Sequence, residues 1–250
     1  RLKKHAEKDF WRWLTGWAVC LSKPSDLGYP DVTDRYTFDM PQLVIHNEVV
    51  SVDQSRGWAS GKLIVDGTLS ATEMWKEKKA TLTDRCNRAR DIVDNSKEPW
   101  LIWCDTNDEA DYLIKLFPQA VEVRGNHSIK IKEERLNAFA EGNAQILISK
   151  PDIAGFGMNF QNCANQLFVG VTYSFEKTYQ ALRRSWRFGQ TKDVHAYMIS
   201  AESEGDIVKA LAVKQEAHKE MQRAMNEAMK EHGLGVTDRR SAHDYETNLR

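Results

Sequence analysis

The chain has 250 residues, 41% hydrophobic and 10% aromatic, enough for a sizeable core in one large domain or two small ones. A formal net charge of −1 and a pI near 6.7 exclude a global electrostatic pull toward nucleic acid, so any such binding must use local patches. Four widely separated cysteines with no Cys-x-x-Cys pair and no His-Glu-x-x-His argue against a zinc site, and the lack of an apolar run of about 18 residues or a signal-peptide core argues against a membrane span or secretion.

Phe10, Trp13, Leu14 and Trp17 recur at i, i+3, i+4 and i+7, with Trp11 and Leu21 nearby, which predicts an aromatic-faced helix packed into a core. Lys23–Pro30, with two prolines and a glycine, breaks it. Leu43–Val52 is β-prone. Gly57-Trp-Ala-Ser-Gly61-Lys62-Leu63 imitates a phosphate loop, but it is one residue short and has leucine where a Mg²⁺-binding hydroxyl belongs. Ser70-Ala-Thr-Glu73 reads as a capping box opening one long helix to about Asp94.

Trp100–Cys104 is a short apolar run that predicts a buried strand. The letters Asp108-Glu109-Ala110-Asp111 spell an acid-pair motif, yet the strand has ended by Cys104 and Asp105–Asn107 supply a turn and cap. Asp108 and Glu109 then fall in the first turn of a helix carrying Leu113, Ile114 and Leu116, where the helix dipole accounts for their charge. Val121–Val123 is a further strand, followed by Arg124-Gly125-Asn126 and a helix from about Ser128 to Ala140, whose Lys130, Lys132 and Arg135 are either solvated or turned toward a polyanion.

Ile146–Ile148 is another buried strand and runs into Ser149–Asn159. There Gly155 and Gly157, at a strand-to-helix turn, would let backbone N–H groups approach an anion. Gln166–Val171 and Val194–Ile199 complete a strand–helix alternation that describes a parallel sheet covered on both faces. A helix from Asp206 to about Glu231 carries Ile207, Leu211, Met221, Met225 and Met229 near one stripe, with Gly233 as its stop and a polar, loose tail after it.

Between the last two strands lies Gln180–Gln190. At helical pitch Gln180, Arg184 and Arg187 share one face, and two permanently charged guanidiniums on a rigid rod suit a polyphosphate. Ser174 can cap this helix, Glu176 sits in its first turn and Gly189 can close it. Lys177, Arg183, Arg184, Arg187 and Lys192 form one basic patch.

The pattern Gln-x-x-x-Arg-x-x-Arg-x-Gly-Gln resembles the sixth motif of superfamily-two helicases, in the form found in Swi/Snf-like translocases and related phage helicases, with Arg183 where relatives commonly have glycine. Trp100–Leu116 is similar to motif IV, the stretch from Gly125 through Arg135 to Phe139 to a segment beside the nucleic-acid backbone, and Ser149–Asn159 to motif V. The resemblance covers residues 67–200 well and the first 66 more loosely. It implies an α/β fold, the RecA-like (P-loop NTPase-type) parallel sheet with helices on both faces of a helicase C-terminal lobe. Residues 1–66 would be the tail of a first lobe and linker, 67–202 the lobe, 203–233 a C-terminal helix and 234–250 a flexible tail.

The function so implied is that of a motor lobe of an ATP-dependent nucleic-acid helicase or translocase, with DNA as the expected track. ATP and Mg²⁺ would be held mainly by the first lobe, the partner of this one. Arg184 and Arg187 would stabilise the transferred phosphoryl group, Gln180, Gly155 and Gly157 would meet ATP, and Ser149, Lys150, Asn159 and Arg135 would meet the nucleic acid. No metal is expected on the lobe itself, no membrane partner, and a cytoplasmic, reduced location. Arg1 in place of a methionine points to a processed product or a piece of a longer chain, and without a phosphate loop and true acid pair the chain alone should be inactive. The alternatives are a non-catalytic nucleic-acid-binding module, the translocase part of a restriction system, and a scaffold using the helices at 10–17 and 207–229, for which exposed Trp13 and Trp17 would speak.

Overall fold

The computed structural model describes residues 6–18, 21, 23–27, 29–32, 37–51, 71–94, 96–154, 158–170, 174–201 and 204–232. The expectations for Gly57–Leu63, Ser70, Gly155, Gly157, Gly233 and the tail lie outside them. Two compact units divide the chain, one of Met40–Ala212 and one of Arg1–Asp39 with Val213–Arg250.

The larger unit is built on a six-stranded sheet in the order β1-β6-β5-β2-β4-β3, every neighbour parallel. The strands are β1 (Leu43–Val50), β2 (Trp100–Trp103), β3 (Val121–Val123), β4 (Ile146–Ser149), β5 (Asn165–Phe168) and β6 (Val194–Ala201). Between them run α2 (Ala71–Ala80), α3 (Leu82–Val93), α4 (Asn107–Leu116), α5 (Ile129–Ala140), the single turn α6 (Pro151–Ala154) and α7 (Phe175–Leu182). Parallel strands need crossovers, and the crossovers put helices on the sheet's faces, so β2 and β4 are buried at every residue.

Side-chain alternation divides the core accordingly. Leu101 and Trp103 join Leu136 and Phe139 of α5 and Ala181 and Leu182 of α7, whereas Trp100 and Ile102 join Cys86 and Ala89 of α3 and Leu113 of α4. Each such large apolar group taken from water contributes roughly 1.5–3 kcal/mol.

Strand β1, expected in a connector, instead pairs with β6 over eight residues from Leu43↔Val194 to Val50↔Ala201. The compact unit therefore begins at Met40 rather than near residue 67. Local periodicity reveals a strand but not its neighbour, and here the neighbour is about 150 residues away in sequence.

The expected single helix of residues 70–94 is two, broken at Thr81. Arg85 takes the Lys78 carbonyl through Nη2 at 2.7 Å and donates Nε to Thr81 Oγ1 at 3.1 Å, which removes the acceptor a continuous helix would use. At α4 the sequence reading holds. Thr106 caps the helix and Glu109 returns the bond in a capping box, with Asp108 exposed in the first turn.

In the smaller unit α1 (Glu7–Thr15) carries the aromatic cluster, with Trp13 and Trp17 edge to face at 5.3 Å. Expected in a core, they are instead 61% and 66% exposed. Helix α8 (Gly205–His232) runs from the larger unit into the smaller one, where Met225 and Met229 are buried and Met221 is half exposed.

Candidate functional site

Helix α7 starts as its sequence predicts. Ser174 Oγ accepts the Lys177 N–H at 3.3 Å, and Glu176 lies in the first turn. It ends much earlier than expected, at Leu182, so Arg184 and Arg187 sit on tight turns and not on a common helix face. Competition for a carbonyl accompanies the break. The Arg184 carbonyl accepts the backbone N–H of Phe160 at 2.9 Å, which diverts it from the fourth residue onward, while the Leu182 carbonyl still accepts the Trp186 N–H at 2.9 Å and is also reached by Gln166 Nε2 at 2.9 Å. Gly189, with φ +86°, turns the chain back, and a Cβ there would lie 2.6 Å from Gln161 Nε2.

The segments 158–163 and 184–190 are thereby stitched into one rim leading to the amino ends of β5 and β6. Arg184 Nη1 donates to the Met158 carbonyl at 3.1 Å, Gln161 Nε2 donates to the Phe188 carbonyl, and Gln190 Nε2 donates to the carbonyls of Gln161 and Cys163 at 3.0 and 3.2 Å. Gln190 Oε1 accepts the N–H groups of Thr191 and Lys192, both at 3.0 Å, so this buried amide is fully used. Gln161 was not foreseen, and only the repeated Asn/Gln content of 159–165 could have flagged it.

The expected basic patch largely resolves into internal bonds. Lys177 pairs with Asp152 and Lys192 with Glu98, each at 2.7 Å. Arg183 lies over the rings of Trp186 and Phe188, 5.5 and 6.0 Å from their centroids. Arg184 is held by Gln180, whose carbonyl it meets through Nε at 3.2 Å and whose amide oxygen it meets through Nη2 at 3.4 Å. Of the five side chains only that of Arg187 makes no hydrogen bond, ion pair or ring contact among the described residues. Burial, and then the like charge of Arg187, lower the pKa of Arg184 from its ordinary value. The two guanidiniums therefore stand close enough to repel.

Asn159 is exposed and donates to Gln161 Oε1 at 3.0 Å, so it belongs to the same rim. The other expected residues gather elsewhere, at a cavity of about 290 Å³ beyond the carboxyl ends of β2, β3 and β4, lined by Cys104, Arg124, Gly125, Asn126, Ser149 and Lys150 among others. Lys150 is half-buried, and its side chain has no hydrogen bond or ion pair among the described residues. The hydroxyl of Ser149 is not offered to the cavity, since the residue is 1% exposed and its Oγ donates to the Val123 carbonyl at 2.9 Å. Arg135 is likewise engaged, with Nη1 on the Glu122 carbonyl at 2.5 Å.

Arg124 at the cavity wall is held by Glu122 and Asp111, both at 2.5 Å. Its backbone N–H is received by His127 Nδ1 at 3.1 Å, and burial, followed by the charge of Arg135, lowers the His127 pKa. Burial, then Glu109, also pushes the Cys104 thiol up, which leaves it a poor nucleophile.

Among the described residues no group of three or more His, Cys, Asp or Glu could hold a metal ion, and no helix is long and apolar enough to cross a membrane. Asp108 and Glu109 do not form a Mg²⁺ pair. Glu109 is fully buried against Arg85, 2.6 Å away, and its other oxygen accepts the Asp105 and Thr106 N–H groups at 2.7 and 3.0 Å. The dipole alone therefore understates what holds this carboxylate.

Residues 84–189 match the family described as helicase conserved C-terminal domain. Similar solved structures include the C-terminal part of the Fun30 ATPase domain (TM-score 0.46, 18% identity, 51% of this chain and 44% of that one). They also include the C-terminal domain of the DEAD-box protein Dbp5 (TM-score 0.48, 11% identity, 70% of this chain and 84% of that one). A third is a DEAD box protein from the hyperthermophile Methanococcus jannaschii (TM-score 0.47, 16% identity, 54% of this chain and 37% of that one). The chain thus spans 44% of the length of the Fun30 structure. No curated protein matches the sequence. The stretch 84–189, which matches a helicase conserved C-terminal domain, lies within an all-parallel sheet with helices on both faces.

Proposed function

We propose that the chain is the C-terminal motor lobe of an ATP-dependent helicase or translocase of the Swi/Snf-like or phage type, acting on DNA together with a first RecA-like lobe. The observation that carries this reading is Arg187, whose side chain has no partner among the described residues and stands beside an Arg184 fixed by Gln180 and Met158. Bound ATP would supply the phosphoryl group to be transferred, with Mg²⁺ held outside the described residues. Arg187 supplies the mobile charge that meets the γ-phosphate, and Arg184 fixes the rim from which it reaches. Gln180 acts through Arg184 and not on the nucleotide directly. Gly155 and Gly157 remain candidates for backbone contacts to the nucleotide, and Asn159 for coupling the rim to the strand.

Lys150 is the cation proposed to meet a nucleic-acid phosphate at the cavity, with Ser149 in its lining and Arg135 bracing the lining residue Glu122 through its carbonyl. Phosphate contacts of this kind give affinity without sequence choice. A titration of the chain with tripolyphosphate at low salt tests the anion site: Arg187→Ala should weaken binding while Lys150→Ala leaves it unchanged, and the reverse pattern would sink the reading. A second role, docking another protein on α1, is supported by the exposure of Trp13 and Trp17.

A further inference from the structure

The turn that carries Arg187 has little regular backbone structure of its own. Beyond α7 its backbone bonds are Arg184 N–H to Ala181 at 3.1 Å, Ser185 and Trp186 N–H to Leu182 at 3.2 and 2.9 Å, Gln190 N–H to Arg187 at 3.2 Å, and one long-range bond, Phe160 N–H to the Arg184 carbonyl at 2.9 Å. Residues 186–189 donate no long-range backbone bond among the described residues, so side chains and what they grip do much to set their position. On one side Gln161 grips the Phe188 carbonyl. On the other, three consecutive residues of the strap that enters β1 touch the same stretch of chain.

Met40 places Sδ 3.5 Å from Arg183 Nη1, Pro41 accepts the Trp186 indole Nε1–H at 2.8 Å, and Gln42 exchanges bonds with Asp193 and Val194 at 3.1 and 2.8 Å. The guanidinium of Arg183 lies over Trp186 and Phe188, the two residues flanking Arg187. A glycine at 183 could make none of these contacts. Residue 183 therefore adds a grip on the strap and contributes no charge to the anion site.

Resting on the anion-site reading above, we infer that Arg183 and Trp186 are positioning residues that fasten the Arg187 turn to the strap Met40–Gln42. The strap and the arginine turn then move as one piece, and a displacement of the incoming chain shifts Arg187 relative to its phosphate. Parallel pairing of β1 with β6 extends that connection, because the strap continues directly into the sheet edge. Such a fastening sets the place of Arg187 without touching the ligand.

The test uses the 250-residue chain with two readouts, amide hydrogen exchange and affinity for tripolyphosphate. Trp186→Phe keeps the ring under Arg183 but removes the donor to Pro41, and Arg183→Gln removes the stacked guanidinium. Losing one neutral hydrogen bond should speed exchange in Arg184–Gln190 by about fivefold and weaken tripolyphosphate binding comparably, with the amides of β2 unchanged. Arg183→Lys should recover part of the loss seen with Arg183→Gln. Unaltered exchange in the turn, a rise spread equally into β2, or a loosened turn that binds tripolyphosphate as before would each overturn the inference. Arg187→Ala separates the two layers: it should weaken tripolyphosphate binding with exchange in the turn unchanged. If it leaves affinity intact, the anion-site reading fails, and the exchange arm still decides whether the strap is fastened.

Discussion

Arg85 and Glu109 form a fully buried ion pair, Nη1 to Oε1 at 2.6 Å, with neither side chain exposed to solvent. Arg85 also donates to the carbonyls of Val169 and Lys78, so one guanidinium joins the α2–α3 break, the cap of α4 and the carboxyl end of β5. The approach is so close that a Cβ on Gly170 would lie 2.9 Å from Glu109 Oε1 and 3.0 Å from Arg85 Nη1. Removing one partner strands the other in a low-dielectric interior. Glu109→Ala should therefore cost about 3–5 kcal/mol in urea unfolding, and Arg85→Met combined with Glu109→Leu much less than the sum of the singles. Additive losses would show that the two charges do not depend on each other.

Two left-handed glycines among the described residues make an internal comparison. Gly189 and Gly142 have φ of +86° and +80°, but only Gly189 faces a neighbour, Gln161, while a methyl group on Gly142 would meet nothing within 4 Å. Gly142→Ala should cost about 1–2 kcal/mol for the backbone alone. Gly189→Ala should cost more and release the Gln161 grip on Phe188. Equal losses in thermal denaturation would mean that Gln161 moves aside freely.

His127 gives the account a pH dependence. Burial and the nearby Arg135 hold its folded-state pKa below the ordinary 6.5. The unfolded chain then binds a proton that the native state refuses, so stability is full above pH 6.5 and declines as the pH falls toward the folded-state pKa. His127→Asn keeps an acceptor for the Arg124 N–H and removes the titration. Its stability measured across this range should decline less than that of the parent, and parallel curves would remove His127 from the explanation.

Most of the sheet is legible in the letters, because β2 and β4 are continuous apolar runs and Thr106–Glu109 is a self-contained cap. What escapes is decided by groups distant in sequence. Arg85 ends α2 by taking the Lys78 carbonyl, and Phe160 takes that of Arg184 beyond the end of α7. Helical spacing consequently puts Gln180, Arg184 and Arg187 on one helix, whereas only Gln180 lies in α7 and the two arginines lie on the turns after it. Ser149 and Arg135 show the same limit, since a polar residue near a cavity can be spent on the backbone beside it. The partner of β1 and the exposure of Trp13 and Trp17 likewise depend on tertiary placement that periodicity does not encode.

Lys150 should carry an electrostatic share of nucleic-acid binding. With a labelled single-stranded oligonucleotide, Lys150→Ala should weaken binding and reduce the slope of log K against log salt by about 0.7, the value for one phosphate contact. An unchanged slope would place the contact elsewhere, whereas Ser149→Ala should leave the slope as it is.

The most direct measurement is ATP turnover and nucleotide affinity in an intact two-lobe enzyme containing this lobe, compared between the parent and Arg187→Ala. Turnover should fall by about 10³-fold or more while nucleotide affinity changes little, as expected of a charge that acts on the transferring phosphoryl group. Equal losses in turnover and affinity, or no loss in either, would contradict the role assigned to Arg187.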